Sequence, residues 1–450
     1  MRKKSLFVIL TWLVAAVAVL VLYLLRGVPL VKEILVWALG IWPIFAVLGG
    51  IALIISVQII GRQNLSFNKS TYLPILVSLI ATIVLLLIVE VAFRLSTPFP
   101  GTIATYEQNR DYMYFHKPDS TGWEVSPVGE FPPIKLKYNK YGFRNPDFPI
   151  EKDSQLRVVM LGDSFIESRQ VPYEKTASAI LQEKLASSTG KPETLVINAG
   201  ISAYTTTTEF LLLKYQISQF KPDIIVVFFA FNDYTDNYQY KQYVNHPDFD
   251  TKGLPAELMP EAYSKLALRS PSVWLDRHSA LFHFFQLQKT IRATRAQSNQ
   301  VVKLIASGKL LTESPRAIFK DEFTPDEQRL IDFTHYGISR IKELCDQSNI
   351  KLVYAIIPFP AQVNALEWAA GKATWGYAKD EVITSTRYQD LLKGFLEANH
   401  IQYIDLLPYF KEAGKTERLF LNYDGHWNAN GNRIAAEAPF ESIMKLIKPR

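Results

Sequence analysis

A serine at the end of a short apolar segment is the first residue whose type and position could do chemistry. Ser164 closes the tripeptide Gly162-Asp163-Ser164, which follows an apolar run at residues 158–161. An apolar run of this length, bounded by turn residues, is typical of a buried strand. In open α/β sheets, ligands bind beyond the carboxyl ends of the strands. Ser164 is therefore a candidate nucleophile, and we expect Asp163 to shape the turn beside it.

A histidine and an aspartate near the carboxyl terminus could activate that serine. Asp424 and His426 stand two positions apart, directly before a predicted helix. A serine hydroxyl is a poor nucleophile at its ordinary pKa and needs an adjacent base. His426 can accept its proton and return it to the leaving group, while Asp424 holds the other imidazole nitrogen. The alternative for Asp424 is a residue whose side chain only closes a turn.

Three hydrogen-bond donors could form an oxyanion hole beside the serine. They are the backbone N–H groups of Ser164 and Gly200 and the side-chain amide of Asn232. Such donors stabilise the developing negative charge when they are fixed in place before the reaction. Gly200 follows the second predicted strand, and a glycine there lets the backbone approach a ligand closely. Alternatively, Asn232 and Asp233 form a turn pair that only caps the backbone.

An alternation of strands and helices from residue 155 onward would bring these residues together. This alternation predicts a parallel sheet with right-handed crossovers, so the strands' carboxyl ends share one edge. The third strand is apolar on both faces, which indicates helices on both sides of the sheet. The predicted strands are 158–161, 195–198, 223–231, 351–357 and 402–405, and the predicted helices include 176–188, 207–219, 385–399 and 429–447.

A long gap separates the third predicted strand from the fourth. Residues 236–322 exceed the length of an ordinary structureless loop, so we expect an inserted helical subdomain or lid. Thr324, Pro325 and Glu327 then predict the start of a helix, with Thr324 as its N-cap. Upstream of the alternating region, residues 96–154 are interpreted as a Pro- and aromatic-rich linker with short β structure, including a hairpin at 139–144.

The segments around Ser164, Gly200, Asn232 and His426 resemble the four sequence blocks of the SGNH (GDSL-type) hydrolase superfamily. The resemblance covers residues 155–450 apart from the insert. It implies a flavodoxin-like three-layer α/β/α domain with a Ser-His-Asp triad, a Ser/Gly/Asn oxyanion hole and no need for a metal. Known members are esterases, lipases, acyl-thioesterases, carbohydrate deacetylases and glycan O-acetyltransferases.

The last block departs from the usual pattern of the superfamily. Its members usually carry Asp three residues before the histidine, where this chain has Tyr423. Here Asp424 stands only two residues before His426. The resulting Asp-x-His-Trp spacing is similar to that of alginate and other polysaccharide O-acetyltransferase proteins. In several of those the motif precedes the serine, whereas in this chain it follows.

Three long apolar runs precede the alternating region, at residues 5–25, 34–60 and 73–93. Each reaches or exceeds the roughly 20 residues that a helix needs to cross a bilayer. We therefore interpret residues 1–95 as an anchor of three transmembrane helices and residues 155–450 as the catalytic domain.

Basic residues predict how this anchor is oriented. Arg2, Lys3 and Lys4 precede the first apolar run, and Arg62 and Lys69 lie between the second and third. Segments rich in lysine and arginine stay in the cytoplasm. We therefore expect a multi-pass protein of the bacterial cytoplasmic membrane, with a cytoplasmic amino terminus and an extracytoplasmic catalytic domain.

The composition argues against several other classes of protein. The net charge is +6, and no basic run occurs beyond the amino terminus, so binding to nucleic acid is not indicated. The single cysteine, Cys345, permits neither an internal disulfide nor a cysteine metal cluster, and we expect a buried thiol. No Gly-x-Gly-x-x-Gly or Walker loop follows the first strand. We therefore expect neither a cofactor nor a metal.

Three functions remain open at this stage. The first is a membrane-anchored serine esterase that removes acyl groups, most simply acetyl, from an envelope carbohydrate or a related ester through an acyl-Ser164 intermediate. The second is a glycan O-acetyltransferase that works with a membrane acyl-donor protein as its partner. The third is a non-catalytic component of an envelope assembly.

Overall fold

The computed structural model describes most of the predicted catalytic domain. The described residues are 88–90, 105–109, 111–124, 126, 129–152, 155–234, 236, 279, 281–282, 285, 318–372 and 377–447. The chain divides into two units, Met1–Thr97 and Pro98–Arg450. The three predicted spans and most of the predicted insert lie outside the described residues. Within the described ranges, no helix has both the length and the hydropathy needed to cross a bilayer.

Four short strands lie upstream of the main sheet, in the region predicted to hold short β structure. They are β1 (Tyr106–Asn109), β2 (Met113–His116), β3 (Thr121–Glu124) and β4 (Ile134–Lys137). β1 pairs with β2 and β3 with β4, both antiparallel. The hairpin predicted at 139–144 is wrong, because these residues form a turn that follows β4. Gly142 in this turn has a φ of +84°, and a β-carbon there would lie 2.3 Å from the His116 backbone oxygen.

A parallel sheet forms the centre of the described domain. Its strands are β5 (Arg157–Gly162), β6 (Leu195–Gly200), β7 (Ile224–Phe229), β8 (Lys351–Ile356) and β9 (Gln402–Asp405). They lie in the order β6-β5-β7-β8-β9, which is the doubly wound order with the first strand inside the sheet. The predicted α/β architecture with a parallel sheet is confirmed. β5 ends between its two neighbours, with Gly162 opposite Gly200 and Phe228.

Helices connect these strands and cover both faces of the sheet. In the described ranges they are α1 (Ser164–Glu167), α2 (Ala177–Thr189), α3 (Thr206–Leu212), α4 (Pro325–Gln347), α5 (Pro360–Val363), α6 (Ala369–Lys372), α7 (Arg387–Ala398), α8 (Leu407–Ala413), α9 (Ala429–Glu437) and α10 (Phe440–Ile447). α4 begins as predicted: Thr324 Oγ1 accepts from Glu327 N, and Glu327 Oε2 accepts from Thr324 N.

Two predicted helices differ from the observed ones. The segment predicted as one helix at 207–219 is α3 followed by a π-helical turn at Leu213–Ile217 and a 3-10 turn at Ser218–Phe220. The helix predicted at 429–447 is divided into α9 and α10. Pro439 lies between them, and its missing N–H interrupts the helical hydrogen bonds.

Side chains alternate along the buried strands and divide the core into two layers. In β5, Val159 and Leu161 belong to the layer formed with α3, α4 and α7, whereas Val158 and Met160 belong to the layer with α2, α8, α9 and α10. All four are 0% exposed. Burial of each such side chain contributes roughly 1.5–3 kcal/mol. The carboxyl end of β5 is therefore a fixed platform for the residues that follow it. Cys345, predicted to be a buried thiol, is buried in α4.

Candidate active site

The nucleophile candidate lies on a capped turn at the end of β5. Ser164 is the first residue of α1, and Asp163 is its N-cap. Asp163 Oδ1 accepts a hydrogen bond from Phe165 N at 2.9 Å, which closes the first turn of the helix. Burial raises the pKa of Asp163, although hydrogen bonds from Phe165 and Asn232 oppose this change. The cap and the strand together hold the Ser164 hydroxyl at the carboxyl edge of the sheet.

The structure brings the three predicted triad residues into one hydrogen-bonded chain. His426 Nε2 lies 2.6 Å from Ser164 Oγ. His426 Nδ1 lies 2.6 Å from Asp424 Oδ1. An ionised carboxylate accepts only, so the ring proton is assigned to Nδ1. Nε2 then presents a lone pair to the Ser164 hydroxyl, which is the arrangement that a general base requires.

Asp424 and His426 alter each other's protonation. Burial by itself raises the pKa of Asp424, but the charge of His426 and the hydrogen bonds that His426 donates lower it to about 2. Burial lowers the pKa of His426, but the Asp424 carboxylate outweighs burial and raises this pKa above the usual 6.5. Asp424 is thus ionised at neutral pH, and its charge stabilises the imidazolium that forms when His426 accepts a proton.

A tight loop explains how the short Asp-x-His spacing still gives this geometry. Gly425 has a φ of +86°, in the left-handed region, and a β-carbon there would lie 2.8 Å from the Trp368 indole nitrogen. Asp424 Oδ1 accepts from both the backbone N (3.1 Å) and the ring Nδ1 of His426. Leu421 N donates to His426 O at 2.8 Å and closes the loop. Asp424 therefore reaches the imidazole from only two residues away.

The first two predicted oxyanion donors have different environments. Ser164 N–H is at the start of α1, where a helix leaves its amides without an internal acceptor. Gly200 N–H donates instead to the Asn198 side-chain oxygen at 3.1 Å. A β-carbon at Gly200 would lie 2.1 Å from Glu167 N. Gly200 thus allows β6 to pack closely against α1, and its role as an oxyanion donor stays a prediction.

Another backbone N–H lies on the loop that follows β6. Ala203 has a φ of +62°, a left-handed conformation that costs a non-glycine residue roughly 1–2 kcal/mol. The turn around it is closed by Tyr204 N, which donates to Ile201 O at 3.1 Å, and Ala203 N donates to no acceptor in the described residues. Strained backbone of this kind clusters at functional sites. Sequence reasoning missed Ala203, because an alanine carries no signal for positive φ.

The third predicted donor, Asn232, lies beside the nucleophile turn. Its Nδ2 donates to Asp163 Oδ2 at 3.1 Å and to Asp236 Oδ2 at 3.0 Å. A side-chain amide has two hydrogens, so both are engaged in this arrangement. Asp163 is buried, whereas Asp236 is partly exposed. Asn232 can therefore donate to a substrate oxygen if that oxygen displaces the Asp236 carboxylate.

A buried carboxylate at the other end of α1 was missed by sequence reasoning. Glu167 is 0% exposed, and its oxygens accept hydrogen bonds from four separate segments of the chain. The donors are Tyr106 Oη (3.0 Å), Tyr138 Oη (3.0 Å), His116 Nε2 (3.1 Å), Ser202 N (2.7 Å) and Ser202 Oγ (2.6 Å). Glu167 thus joins the nucleophile helix to the upstream strands and to the loop after β6.

The surroundings of Glu167 keep it ionised. Burial raises its pKa, but the Arg169 charge and the hydrogen bonds from His116 and Ser202 outweigh burial and hold the pKa well below the usual range. Burial lowers the pKa of His116, which favours a neutral ring. That ring stacks on Tyr138 at 3.6 Å, and its Nδ1 lies 2.9 Å from Thr105 Oγ1. A neutral His116 that donates from Nε2 and accepts at Nδ1 satisfies both contacts.

Two further buried acids, Glu209 and Asp233, belong to the same region of the domain. Burial raises the pKa of both side chains, and each also feels the negative charge of Asp163. They therefore favour the protonated, neutral form rather than a charge that would attract a cation. Among the described residues, no group of three or more His, Cys, Asp or Glu side chains could hold a metal ion.

The comparisons with known proteins concern the domain that carries this site. Residues 160–434 match the model of the GDSL-like Lipase/Acylhydrolase family. None of the curated proteins matches the chain.

Several solved structures are similar to the chain at low identity. One is a catalytic mutant of an acetylxylan esterase from Geobacillus stearothermophilus, with 13% identity, a TM-score of 0.34, and coverage of 66% of this chain and 97% of that chain. Another is a lipase/acylhydrolase from Enterococcus faecalis, with 14% identity, a TM-score of 0.35, and coverage of 66% and 98%.

The family match includes the nucleophile turn, β6, Asn232 and the Asp424–His426 loop, and it extends over more than half of the chain. It also includes the segments whose resemblance to the superfamily was recognised in the sequence. The chain therefore belongs to the GDSL-like Lipase/Acylhydrolase family.

Proposed function

We propose that this protein is a serine esterase that hydrolyses acyl esters through a covalent acyl-Ser164 intermediate. The observation that carries the proposal is the chain from Ser164 Oγ through His426 to Asp424, with 2.6 Å at both contacts. A serine that only ended a strand would need no imidazole oriented by a carboxylate. Membership of a family of lipases and acylhydrolases supports an enzyme that hydrolyses esters.

The first half-reaction transfers the acyl group to the enzyme. Ser164 Oγ attacks the ester carbonyl carbon while His426 Nε2 accepts the hydroxyl proton, and Asp424 stabilises the imidazolium. The tetrahedral intermediate collapses when His426 returns that proton to the leaving alcohol oxygen. The alcohol departs, and the acyl group remains esterified to Ser164.

The second half-reaction uses water in place of the alcohol. His426 Nε2 accepts a proton from a water molecule, whose oxygen attacks the acyl-Ser164 carbonyl carbon. Collapse of the second tetrahedral intermediate breaks the bond to Ser164 Oγ, which takes the proton back from His426. The products are the free carboxylic acid and the original enzyme.

The oxyanion of both intermediates needs donors from the same edge of the sheet. Ser164 N–H is the first donor that we propose, and the Asn232 amide is the second once the oxyanion displaces the Asp236 carboxylate. Ala203 N–H is a further candidate, since it has no acceptor in the described part of the chain. Gly200 N–H would contribute only after release from Asn198. Loss of one oxyanion donor typically lowers kcat by about 10²–10³-fold.

We further propose that the substrate is an acetyl ester on a carbohydrate or a related component of the cell envelope. The side chains of His426 and Asp424 are 27% and 30% exposed, so the triad is accessible to an ester on a large molecule. Tyr423, next to Asp424, is 54% exposed and offers a flat apolar surface. The three apolar runs at 5–25, 34–60 and 73–93 support placement at a membrane, with the domain on the extracytoplasmic side.

A second candidate function is acyl transfer to a glycan hydroxyl. The Asp424-x-His426-Trp427 spacing favours it, because the same spacing occurs in polysaccharide O-acetyltransferase proteins. Transfer and hydrolysis share the first half-reaction, and they differ only in whether a sugar hydroxyl or water attacks acyl-Ser164. Acetylated glycan formed by the full chain with its membrane acyl donor would establish transfer, and free acetate alone would establish hydrolysis.

The experiment that tests the proposed function compares ester hydrolysis by the purified full chain and by Ser164→Ala. We expect wild type to hydrolyse p-nitrophenyl acetate, and the substitution to lower kcat by more than about 10³-fold. Ser188→Ala, which changes an exposed serine on α2, is the matched control and should keep the wild-type rate. Equal rates for wild type and Ser164→Ala would reject the esterase. Full complementation of a gene deletion by Ser164→Ala would instead favour the non-catalytic assembly component.

A further inference from the structure

We propose that Glu130, on the loop between β3 and β4, is a positioning residue for the catalytic triad; this inference rests on the proposed function. Glu130 precedes residues 160–434, the part of the chain that matches the family model. The upstream segment would therefore contribute to the geometry of the active site in this chain.

The observation is a carboxylate bound to two consecutive backbone amides of the loop at residues 421–426, which carries Asp424 and His426 and is called the triad loop below. Glu130 Oε1 accepts from Tyr423 N at 2.6 Å, and Glu130 Oε2 accepts from Asp424 N at 3.0 Å. Hydrogen bonds from an amide to an ionised acceptor are stronger than neutral ones, and two in parallel fix direction as well as distance. The carboxylate of Glu130 thus sets the position of the peptide from which the Asp424 side chain extends.

Glu130 is itself held in place by its own loop. Ser126 Oγ accepts a hydrogen bond from Glu130 N at 2.9 Å. Gly129 has a φ of +78°, which allows its N–H to donate to Ser126 O at 3.3 Å. β3, which precedes this loop, is linked to the nucleophile side of the site, because Glu124 Oε2 lies 3.4 Å from Arg169 Nε. The upstream segment therefore touches the site on both the serine side and the histidine side.

The triad loop needs this support because of its own construction. Asp424 Oδ1 carries both contacts to His426, and the turn depends on the positive φ of Gly425. A loop with a glycine hinge and a partly exposed acidic side chain has other conformations available. Displacement of a catalytic group by about 1 Å can cost about 10²-fold in rate. Glu130 does not touch the serine, so its loss should act on kcat through Asp424 and leave KM unchanged.

The test combines turnover with a direct measurement of serine reactivity in the purified full chain. We expect Glu130→Ala to lower kcat for p-nitrophenyl acetate by about 10–100-fold, with KM within about twofold of wild type. Labelling of Ser164 by an alkyl fluorophosphonate should slow by a similar factor. The kcat and the labelling rate of Glu130→Gln should lie between those of wild type and Glu130→Ala, because the amide oxygen of glutamine still accepts from one backbone N–H. Glu107→Ala removes an exposed carboxylate from β1 in the same upstream segment and should match wild type.

The outcomes separate this inference from the proposed function. Wild-type rates of turnover and labelling in Glu130→Ala would overturn the positioning role while leaving the esterase intact. A fall in kcat in Glu107→Ala equal to that in Glu130→Ala would also overturn the positioning role. So would a fall in kcat in Glu130→Gln that is accompanied by a large fall in Tm, since either result indicates a general structural effect. A wild-type protein that neither hydrolyses the ester nor reacts with the fluorophosphonate would overturn the esterase itself, and this inference with it.

Discussion

Replacement of Glu167 by glutamine tests how firmly the nucleophile helix is tied to the rest of the domain. Glu167 ends α1, three residues after Ser164, and the donors to its carboxylate come from β1, β2, the residue that follows β4, and the loop after β6. Glutamine has nearly the same shape, so the substitution removes the charge and one acceptor without creating a cavity. The expected result is a large loss of stability together with a loss of activity.

The magnitude follows from the individual contacts. The amide oxygen of glutamine can still accept two hydrogen bonds from among Tyr106, Tyr138 and His116. Because the acceptor is no longer charged, each of these two bonds becomes weaker by about 1 kcal/mol. The amide nitrogen replaces the oxygen that accepts from Ser202 N at 2.7 Å. A buried N–H left without an acceptor costs about 1–3 kcal/mol. The sum is about 4 kcal/mol, a large fraction of the roughly 5–15 kcal/mol typical of a domain.

The same carboxylate predicts how stability depends on pH. The pKa of Glu167 in the folded protein lies well below the 4.5 of an unperturbed glutamate. A lowered folded-state pKa gives stability that is fully present above 4.5 and is lost as pH falls below it. The difference in the free energy of unfolding between wild type and Glu167→Gln should therefore be constant near neutral pH. Below 4.5, it should shrink as the pH falls further.

The assay is denaturant unfolding of the full chain followed by tryptophan fluorescence, which reports on the buried Trp427. Glu174→Gln is the matched control, because Glu174 is exposed on the 3-10 turn at Tyr173–Lys175, and it should stay within about 0.5 kcal/mol of wild type. A loss below about 1 kcal/mol in Glu167→Gln would show that the Glu167 charge does not stabilise the fold, as would a difference from wild type that grows as the pH falls below 4.5.

Three further predictions concern the catalytic edge. In wild type, kcat/KM should rise with pH through an apparent pKa above 6.5, because His426 must be neutral to act as a base and Asp424 raises its pKa. Asp424→Asn should move this inflection to lower pH and lower kcat by about 10⁴-fold, which a pH–rate profile of both proteins would show. Ala203→Gly should raise Tm, by an amount equivalent to about 1 kcal/mol, with unchanged kcat, because it relieves the cost of a positive φ while keeping the N–H. Asp236→Ala should raise kcat, because it removes a carboxylate that competes with the oxyanion for hydrogen bonds from Asn232 Nδ2; steady-state kinetics showing a lower kcat would contradict this.

The position of the triad could be predicted from the sequence because it depends on the topology of the sheet. Once the strands alternate with helices, parallel pairing brings their carboxyl ends to one edge, and Ser164 meets the loop of Asp424 and His426 there. Local signals were also sufficient for the start of α4, where Thr324 and Glu327 form a reciprocal cap. Such features depend on residues close in sequence or on a general rule of chain topology.

Other features of the site depend on contacts that no local pattern encodes. Glu167 follows two apolar residues in a short turn, and only the folded structure shows that Tyr106 and His116 supply its donors. The link from Glu130 to the triad loop joins residues almost 300 positions apart, at separations of 293 and 294. The engagement of Gly200 N–H by Asn198 depends on a side-chain orientation that the sequence does not determine. In each case tertiary packing, rather than propensity, selects the partner.

The most direct test of the central claim is to trap the acyl-enzyme and locate it by mass spectrometry. The full chain would be mixed with p-nitrophenyl acetate, quenched with acid within the first turnovers, digested and compared with Ser164→Ala treated identically. If Ser164 is the nucleophile, the peptide that contains it should carry an added acetyl group in wild type, and the corresponding peptide of the variant should carry none. Ester hydrolysis at the wild-type rate by Ser164→Ala, or an acetyl group found only on other residues, would contradict it.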